Sequence, residues 1–123
     1  MKIGMITDSL ASLSFDELLA TSARLGLDML EFGCGNWSSA PHLKLDEMLE
    51  SERARREFKA RLAGHGLAIS ALNCSGNPLH PGEPGRQHDR VTRDTIRLAS
   101  LMGVERVVMM SGCPGAPGDS HAS

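Results

Sequence analysis

MKIGMITDSLASLSFDELLATSARLGLDMLEFG, residues 1–33, spells out one strand, one helix and a second strand. Lys2 to Thr7 is short and apolar and gives way to the polar run Thr7-Asp8-Ser9, which leaves room for a buried strand and none for a helix. Ser14 and Glu17 have capping-box spacing, and Leu13 and Leu18 flank them as a hydrophobic staple, so a helix is expected to start here and to stop at Gly26. Its mostly apolar face would carry Leu18, Leu19, Thr21, Ser22 and Leu25. Asp28 to Gly33 then reads as the second strand.

The pattern repeats downstream. A longer loop carries Trp37, Pro41 and His42, and a charged helical stretch runs from about Leu45 to Leu62, with Ser51 as a break point and Gly64 and Gly66 as stops. Leu67 to Asn73 is apolar enough for a third strand, and Cys74 to Gln87, dense in Gly and Pro, is expected to be irregular. A third helix over about His88 to Met102 would set Val91, Thr95, Leu98, Ala99 and Met102 on one face, and Arg106 to Met110 is the fourth strand. Strands alternating with helices give an α/β fold of parallel βαβ units. An open doubly wound sheet and part of a parallel (β/α) barrel both fit. The turn after strand one has no glycine-rich phosphate loop, and the last residues form a Gly/Pro loop with no closing helix, so the barrel is favoured. The expectation is a single domain, residues 1–123, forming the N-terminal half of a barrel truncated to about four β/α units, with strand order 1-2-3-4.

With 41% hydrophobic and 23% charged residues in 123, one modest core is the limit. A net charge of -2 with interspersed signs gives no basic field for a phosphate backbone, so no nucleic acid is expected. The N-terminal apolar stretch is too short for a signal sequence or a membrane span, and three cysteines without C-x-x-C spacing suit a reducing compartment. A cytoplasmic location and no membrane partner follow as expectations.

In a parallel β/α fold the ligand site forms where strands give way to loops. Those positions here are Thr7 and Asp8; Glu31, Cys34, Asn36 and Trp37; Asn73, Cys74, Asn77 and His80; Ser111 and Cys113, all expected to face one mouth. Glu31 lies in an apolar strand, where a carboxylate is costly unless it meets a polar mouth or a cation. Trp37, the single tryptophan, offers a pocket wall for a sugar face or a cover for the core. His80 beside Pro81 could bond a hydroxyl or stand solvated, whereas His42 is read as a solvated loop histidine. His65 fits a helix C-terminus, and His88 and His121 are read as surface residues. The cysteines are read first as packing residues, ahead of a thiolate metal site or a nucleophile paired with His80. The run Arg53, Arg55, Arg56, Lys59 and Arg61, interleaved with Glu52 and Glu57, is read as a solvated helix face.

The start from Met1 to Asp8, Leu30-Glu31-Phe32-Gly33 with Gly35-Asn36-Trp37, Pro41-His42-Leu43, the stretch Asn73-Cys74-Ser75-Gly76-Asn77-Pro78-Leu79-His80-Pro81, and Ser111-Gly112-Cys113-Pro114-Gly115 together resemble the sugar phosphate isomerase/epimerase family with the xylose isomerase-like TIM barrel. The resemblance implies metal-dependent aldose–ketose isomerisation or epimerisation of a sugar or sugar phosphate, with Mn, Mg, Co or Zn as the divalent metal of the full-length family. It implies a sugar pocket lined by Glu31, Trp37, Asn77 and His80. The family's metal ligands come from later strands, so no metal ligand is assigned here and the chain is expected to be an inactive fragment. A non-catalytic half-barrel or interaction module is the alternative. An endonuclease-type DNA repair barrel is a weaker one, because Asn73 and Cys74 stand where that group has a metal-binding histidine. Exposed barrel edges are expected to drive self-association.

Overall fold

A computed structural model of the chain describes residues 1–113 and Gly115. The elements are β1 (Gly4–Ile6), a 3-10 turn (Thr7–Leu10), α1 (Phe15–Arg24), β2 (Met29–Gly33), α2 (Leu45–Glu50), α3 (Glu52–Gly64), β3 (Ala68–Asn73), α4 (Glu83–Met102) and β4 (Val107–Val108). All three strand pairings are parallel and the order is β1-β2-β3-β4. Consecutive staves in chain order are the barrel arrangement; a doubly wound sheet would place β1 between two later strands.

The helices begin where side chains can satisfy their first amides. Ser14 Oγ accepts from Glu17 N at 3.2 Å and Glu17 Oε1 accepts from Ser14 N at 3.4 Å, the reciprocal capping box. Ser51 does split the second helical stretch: its ψ of 110° leaves the helix, and its Oγ then caps α3 by accepting from Ala54 N at 3.0 Å. Leu25 is the C-cap of α1 and 63% exposed, so it drops off the apolar face that spacing alone gave it. α4 starts at Glu83, five residues before the expected His88. Pro84 and Gly85 read as loop residues, but a proline in the first helical turn loses no hydrogen bond. The β1 and β4 ladders are shorter than the apolar stretches that suggest them, and Thr7 joins the 3-10 turn.

The core lies between the sheet and its helices. Leu30, Phe32 and Cys34 of β2 and its extension face Leu18, Leu19, Phe58, Leu62, Leu98 and Met102. Phe32 meets Phe58 edge-on at 4.9 Å between ring centroids, and Phe58 stacks on Phe15 at 4.8 Å. The cationic run on α3 does more than meet solvent. Arg55 donates to Met48 O and Leu49 O at the end of α2, Lys59 donates to Met102 O at the end of α4, and Arg61 lies over the Phe15 ring and pairs with Asp16. Arg53, paired with Glu57, and the exposed Arg56 match the simple solvated picture.

One irregularity sets the phase of β3. Leu30 pairs with Ile69, but Glu31 pairs with Ala71, so Ser70 is an extra residue. Beyond it Leu72 lines up with Phe32 and Asn73 with Gly33. Without the bulge Leu72 would turn to the face of Glu31 and Asn73 to the core. Met5, paired with Leu30, and Ile69 pack against the helix-side core. Ile6, Met29 and Val108 are left on the inner face.

Deleting Ser70 should therefore abolish cooperative urea unfolding, whereas Ser70→Ala should cost under about 1 kcal/mol. A deletion variant that unfolds as cooperatively as the parent would show that the register does not depend on the bulge.

Candidate functional site

The inner face at the carboxyl ends of β1 to β3 carries two linked polar pairs. Glu31 projects inward because its neighbours Leu30 and Phe32 project into the core, and its Oε2 accepts a hydrogen bond from Asn73 Nδ2 at 2.7 Å. Asn73 Oδ1 in turn accepts from Ser75 N at 2.9 Å, and Ser75 O accepts from Trp37 N at 3.0 Å. Glu31, Asn73, Ser75 and Trp37 thus form one connected chain of hydrogen bonds. Asn73, not a cation, is what makes the carboxylate tolerable in this strand.

The second pair is Asp8 and Ser38. Ser38 Oγ donates to Asp8 Oδ1 at 2.9 Å and accepts from Ala40 N at 3.0 Å. Both side chains sit over Gly33, where any Cβ would collide with Ser38 Oγ and Asp8 Oδ1. The sequence names Asp8 at the mouth and misses Ser38; the signal for the pair is the glycine two residues after the inward glutamate. The loop that brings Ser38 here is strained: Asn36 has φ 65° and Ala40 φ 50°. Asn36 is held there by its own amide, which donates to Cys74 O at 2.8 Å and His88 O at 3.3 Å.

The other sequence candidates are placed differently. Trp37 is 59% exposed, on the loop that follows β2. Asn77 is buried, its Oδ1 accepting from Cys113 N at 2.7 Å and its Nδ2 donating to Cys113 O at 3.1 Å, so it ties the loop after β4 to the loop after β3. Gly112, at φ 88°, lies against that amide with no space for a side chain. His80 Nδ1 accepts from Gly82 N at 3.0 Å, which leaves Nε2 as the protonated nitrogen of the neutral ring and turns His80 toward the start of α4. His42 is not a solvated loop residue: it is buried, with Nε2 2.8 Å from Leu13 O, while His65 Nδ1 lies 3.1 Å from Arg61 O at the end of α3. His88 is not a plain surface residue: its Nδ1 accepts from Asn77 N at 2.8 Å. His121 and Pro114 lie outside the described residues.

Cys34 and Cys74 do not face the mouth. They share the parity of Phe32 and Leu72 and are buried on the helix side, where burial, reinforced by the nearby Cys74, pushes the Cys34 thiol from 9.0 up to about 12. Burial also raises Cys74. A group that stays a thiol is neither nucleophile nor metal ligand in this state. Among the described residues no three His, Cys, Asp or Glu side chains form a group that could hold a metal ion. An apolar cleft of about 330 Å³ lined by Leu62, Leu67, Ile69 and Met102 lies at the opposite, amino-terminal end of the strands, where barrels carry no chemistry. Among the described residues no helix is long and apolar enough to cross a membrane.

Several known proteins are similar to this chain in sequence or in fold. The chain is 51% identical over 120 residues to the uncharacterized protein YfiH of Bacillus subtilis (strain 168), an alignment covering 97% of the chain and 38% of YfiH. No protein-family model matches the sequence. Among solved structures, the probable 3-DHS dehydratase AsbF of petrobactin synthesis from Bacillus anthracis superposes with a TM-score of 0.63 at 17% identity, over 91% of this chain and 39% of AsbF. A xylose isomerase domain protein from Planctomyces limnophilus gives 0.62 at 12% identity over 97% and 44%, and another from Salmonella typhimurium LT2 gives 0.58 at 16% over 98% and 39%. The fold is that of the xylose isomerase-like TIM barrels, and the chain spans between 38% and 44% of the length of these proteins.

The buried thiols make stability depend on alkaline pH. An unfolded thiol ionises near 9.0 while folded Cys34 keeps its proton to about 12, so stability is complete below pH 9.0 and falls as pH rises toward 12. Cys34→Ala should flatten that alkaline fall in denaturant midpoints measured across the range. At about pH 8 a thiol reagent should modify Cys113 in the native chain and reach Cys34 and Cys74 only after denaturation. Equal rates at all three cysteines would contradict the burial.

Proposed function

We propose that these four β/α units are the sugar-binding side of a metal-dependent sugar or sugar-phosphate isomerase or epimerase barrel, and that the chain of 123 residues binds a sugar without turning it over. The observation that carries the proposal is the inward Glu31 carboxylate, fixed by Asn73 at the strand end of a xylose isomerase-like fold. Asn73 occupies Oε2 of Glu31, which leaves Oε1 to accept from a sugar hydroxyl, and Asp8 beside it presents a second acceptor already oriented by Ser38. Trp37, tethered through Ser75 to the same chain of hydrogen bonds, offers its indole face to the apolar side of the ring. Asn77 and His80 serve this mouth by fixing the loops after β3 and β4 in place.

In the full barrel a divalent metal, Mn, Mg, Co or Zn, would stabilise the negative charge that develops on oxygen as a proton moves between carbons beside a carbonyl. Asp8 and Glu31 supply too few ligands for that ion, and their part is to bind and orient hydroxyls. A DNA repair reading has less support, because Asn73 is committed to Glu31 and Cys74 points into the core, so the end of β3 presents no imidazole. Three cysteines without C-x-x-C spacing and a mixed charge pattern support a cytoplasmic setting without nucleic-acid or membrane partners.

Because Trp37 is the single tryptophan and the chain has no tyrosine, its fluorescence reports on the mouth directly. Titration with ketoses and ketose phosphates should give a saturable change with a Kd of order millimolar, about 4 kcal/mol, and Glu31→Ala should weaken it roughly tenfold or more. No product should form above blank with Mn²⁺, Mg²⁺, Co²⁺ or Zn²⁺ added. A flat titration, or one that Glu31→Ala leaves unchanged, would refute the sugar site; metal-dependent turnover would refute the inactivity.

A further inference from the structure

The mouth turns acceptors toward a ligand and spends its donors on itself. Ser38 takes Oδ1 of Asp8 and Asn73 takes Oε2 of Glu31, which leaves one oxygen of each carboxylate to a ligand. Both groups stand beside Gly33, Asp8 directly over it and Glu31 reaching Asn73, the partner of Gly33 across the ladder. The amides around them are committed: Ser75 N donates to Asn73 Oδ1, Asn77 N to His88 Nδ1 and Cys113 N to Asn77 Oδ1. At the start of α4, where a helix N-terminus would otherwise attract an anion, Gly82 N donates to His80 Nδ1, Pro84 has no N–H and Glu83 adds a negative charge.

The cations are held elsewhere. All thirteen lysines and arginines of the chain lie among the described residues, and none belongs to the inner face at the strand ends. α1, α3 and α4 carry ten of them, and Lys2 and Arg106 precede β1 and β4 at the amino-terminal end of the strands. Lys44 gives its ammonium to Ala40 O at 2.8 Å and lines clefts among the helices beside Glu47, and Arg86, in the first turn of α4, pairs with Glu83 at 2.6 Å. We infer that Asp8 and Glu31 make the mouth over β1 to β3 selective for charge: it takes the neutral polyhydroxyl part of a sugar and turns away a part that carries phosphate. At hydroxyl-binding range two carboxylates repel a phosphate dianion, and the amides and cations that would offset them have other partners or other places. The selection rests on the sugar reading of the mouth and adds a charge requirement to it. In a longer barrel it fixes the orientation of a phosphorylated sugar, whose phosphate must point away from these three strands.

Trp37 fluorescence of the 123-residue chain, titrated with a ketose and with the same ketose carrying a phosphate, reads the selection directly. At about pH 8 the phosphate is a dianion. The neutral ketose should bind roughly tenfold more tightly than its phosphate at an ionic strength of about 0.01 M, and roughly two- to threefold more tightly at about 0.15 M, because salt screens the repulsion. Inorganic phosphate should not compete with the ketose. Asp8→Asn and Glu31→Gln each remove one charge while keeping an oxygen for Ser38 or Asn73, and each should lower the low-salt ratio to roughly threefold or less. Circular dichroism identifies a variant that fails to fold, and the other then decides. A phosphate that binds as tightly as the neutral ketose, or a ratio indifferent to salt and to both variants, would overturn the inference and leave the sugar site in place. Binding of neither compound would remove the sugar site and the selection with it.

Discussion

The pairing of Leu30 with Ile69 and of Glu31 with Ala71 leaves Ser70 without a partner on β2, and the division of the sheet into an apolar side and a polar side depends on that one inserted residue. Side chains of a strand alternate strictly, so a slip of one position exchanges its two faces. In β3 the apolar residues Ile69 and Leu72 are three apart, a spacing that alternation cannot place on one side. The bulge absorbs the difference. It sends Leu72 to the core beside Phe32 and Asn73 to the inner face beside Gly33, within reach of Glu31. Core and site are therefore two consequences of one register.

The helices hold this register from outside. Phe58 on α3 packs between Phe15 and Phe32, and the cations of the same helix bind the carbonyl ends of α2 and α4. A helix end leaves carbonyls without partners, and Arg55 and Lys59 supply donors while their stems cover apolar surface. The mouth is held from above in the same way: Asn36, Asn77 and His88 spend their polar atoms on backbone groups of neighbouring loops. Fixed loops let Asp8, Glu31 and Trp37 keep their places at the strand ends.

Much of this is legible in the sequence, and the failures have physical causes. The capping box at Ser14, the break at Ser51 and the buried face of α4 follow from local chemistry, which spacing records directly. The strand order follows from alternating βαβ units and the lack of a phosphate loop. The early start of α4 was hidden because Pro84 and Gly85 break helices everywhere except in a first turn. The orientation of Cys34 and Cys74 was hidden because position at a strand end fixes height along the barrel, whereas parity fixes the side, and parity in β3 changes at Ser70. The loop-fixing roles of Asn77, read as a pocket residue, and of His88, read as a surface residue, do not show in the sequence because their partners lie 36 and 11 positions away in the chain.

The paired Glu31 and Asn73 give the proposed sugar mouth a chemistry suited to hydroxyls. The most direct measurement is a crystal structure of the chain with a ketose diffused into the lattice. The account predicts ordered sugar density on the inner face, with hydroxyls within hydrogen-bonding distance of Glu31 and Asp8 and the ring against Trp37. Sugar bound instead in the apolar cleft of Leu67 and Met102, with nothing ordered at the mouth, would contradict it.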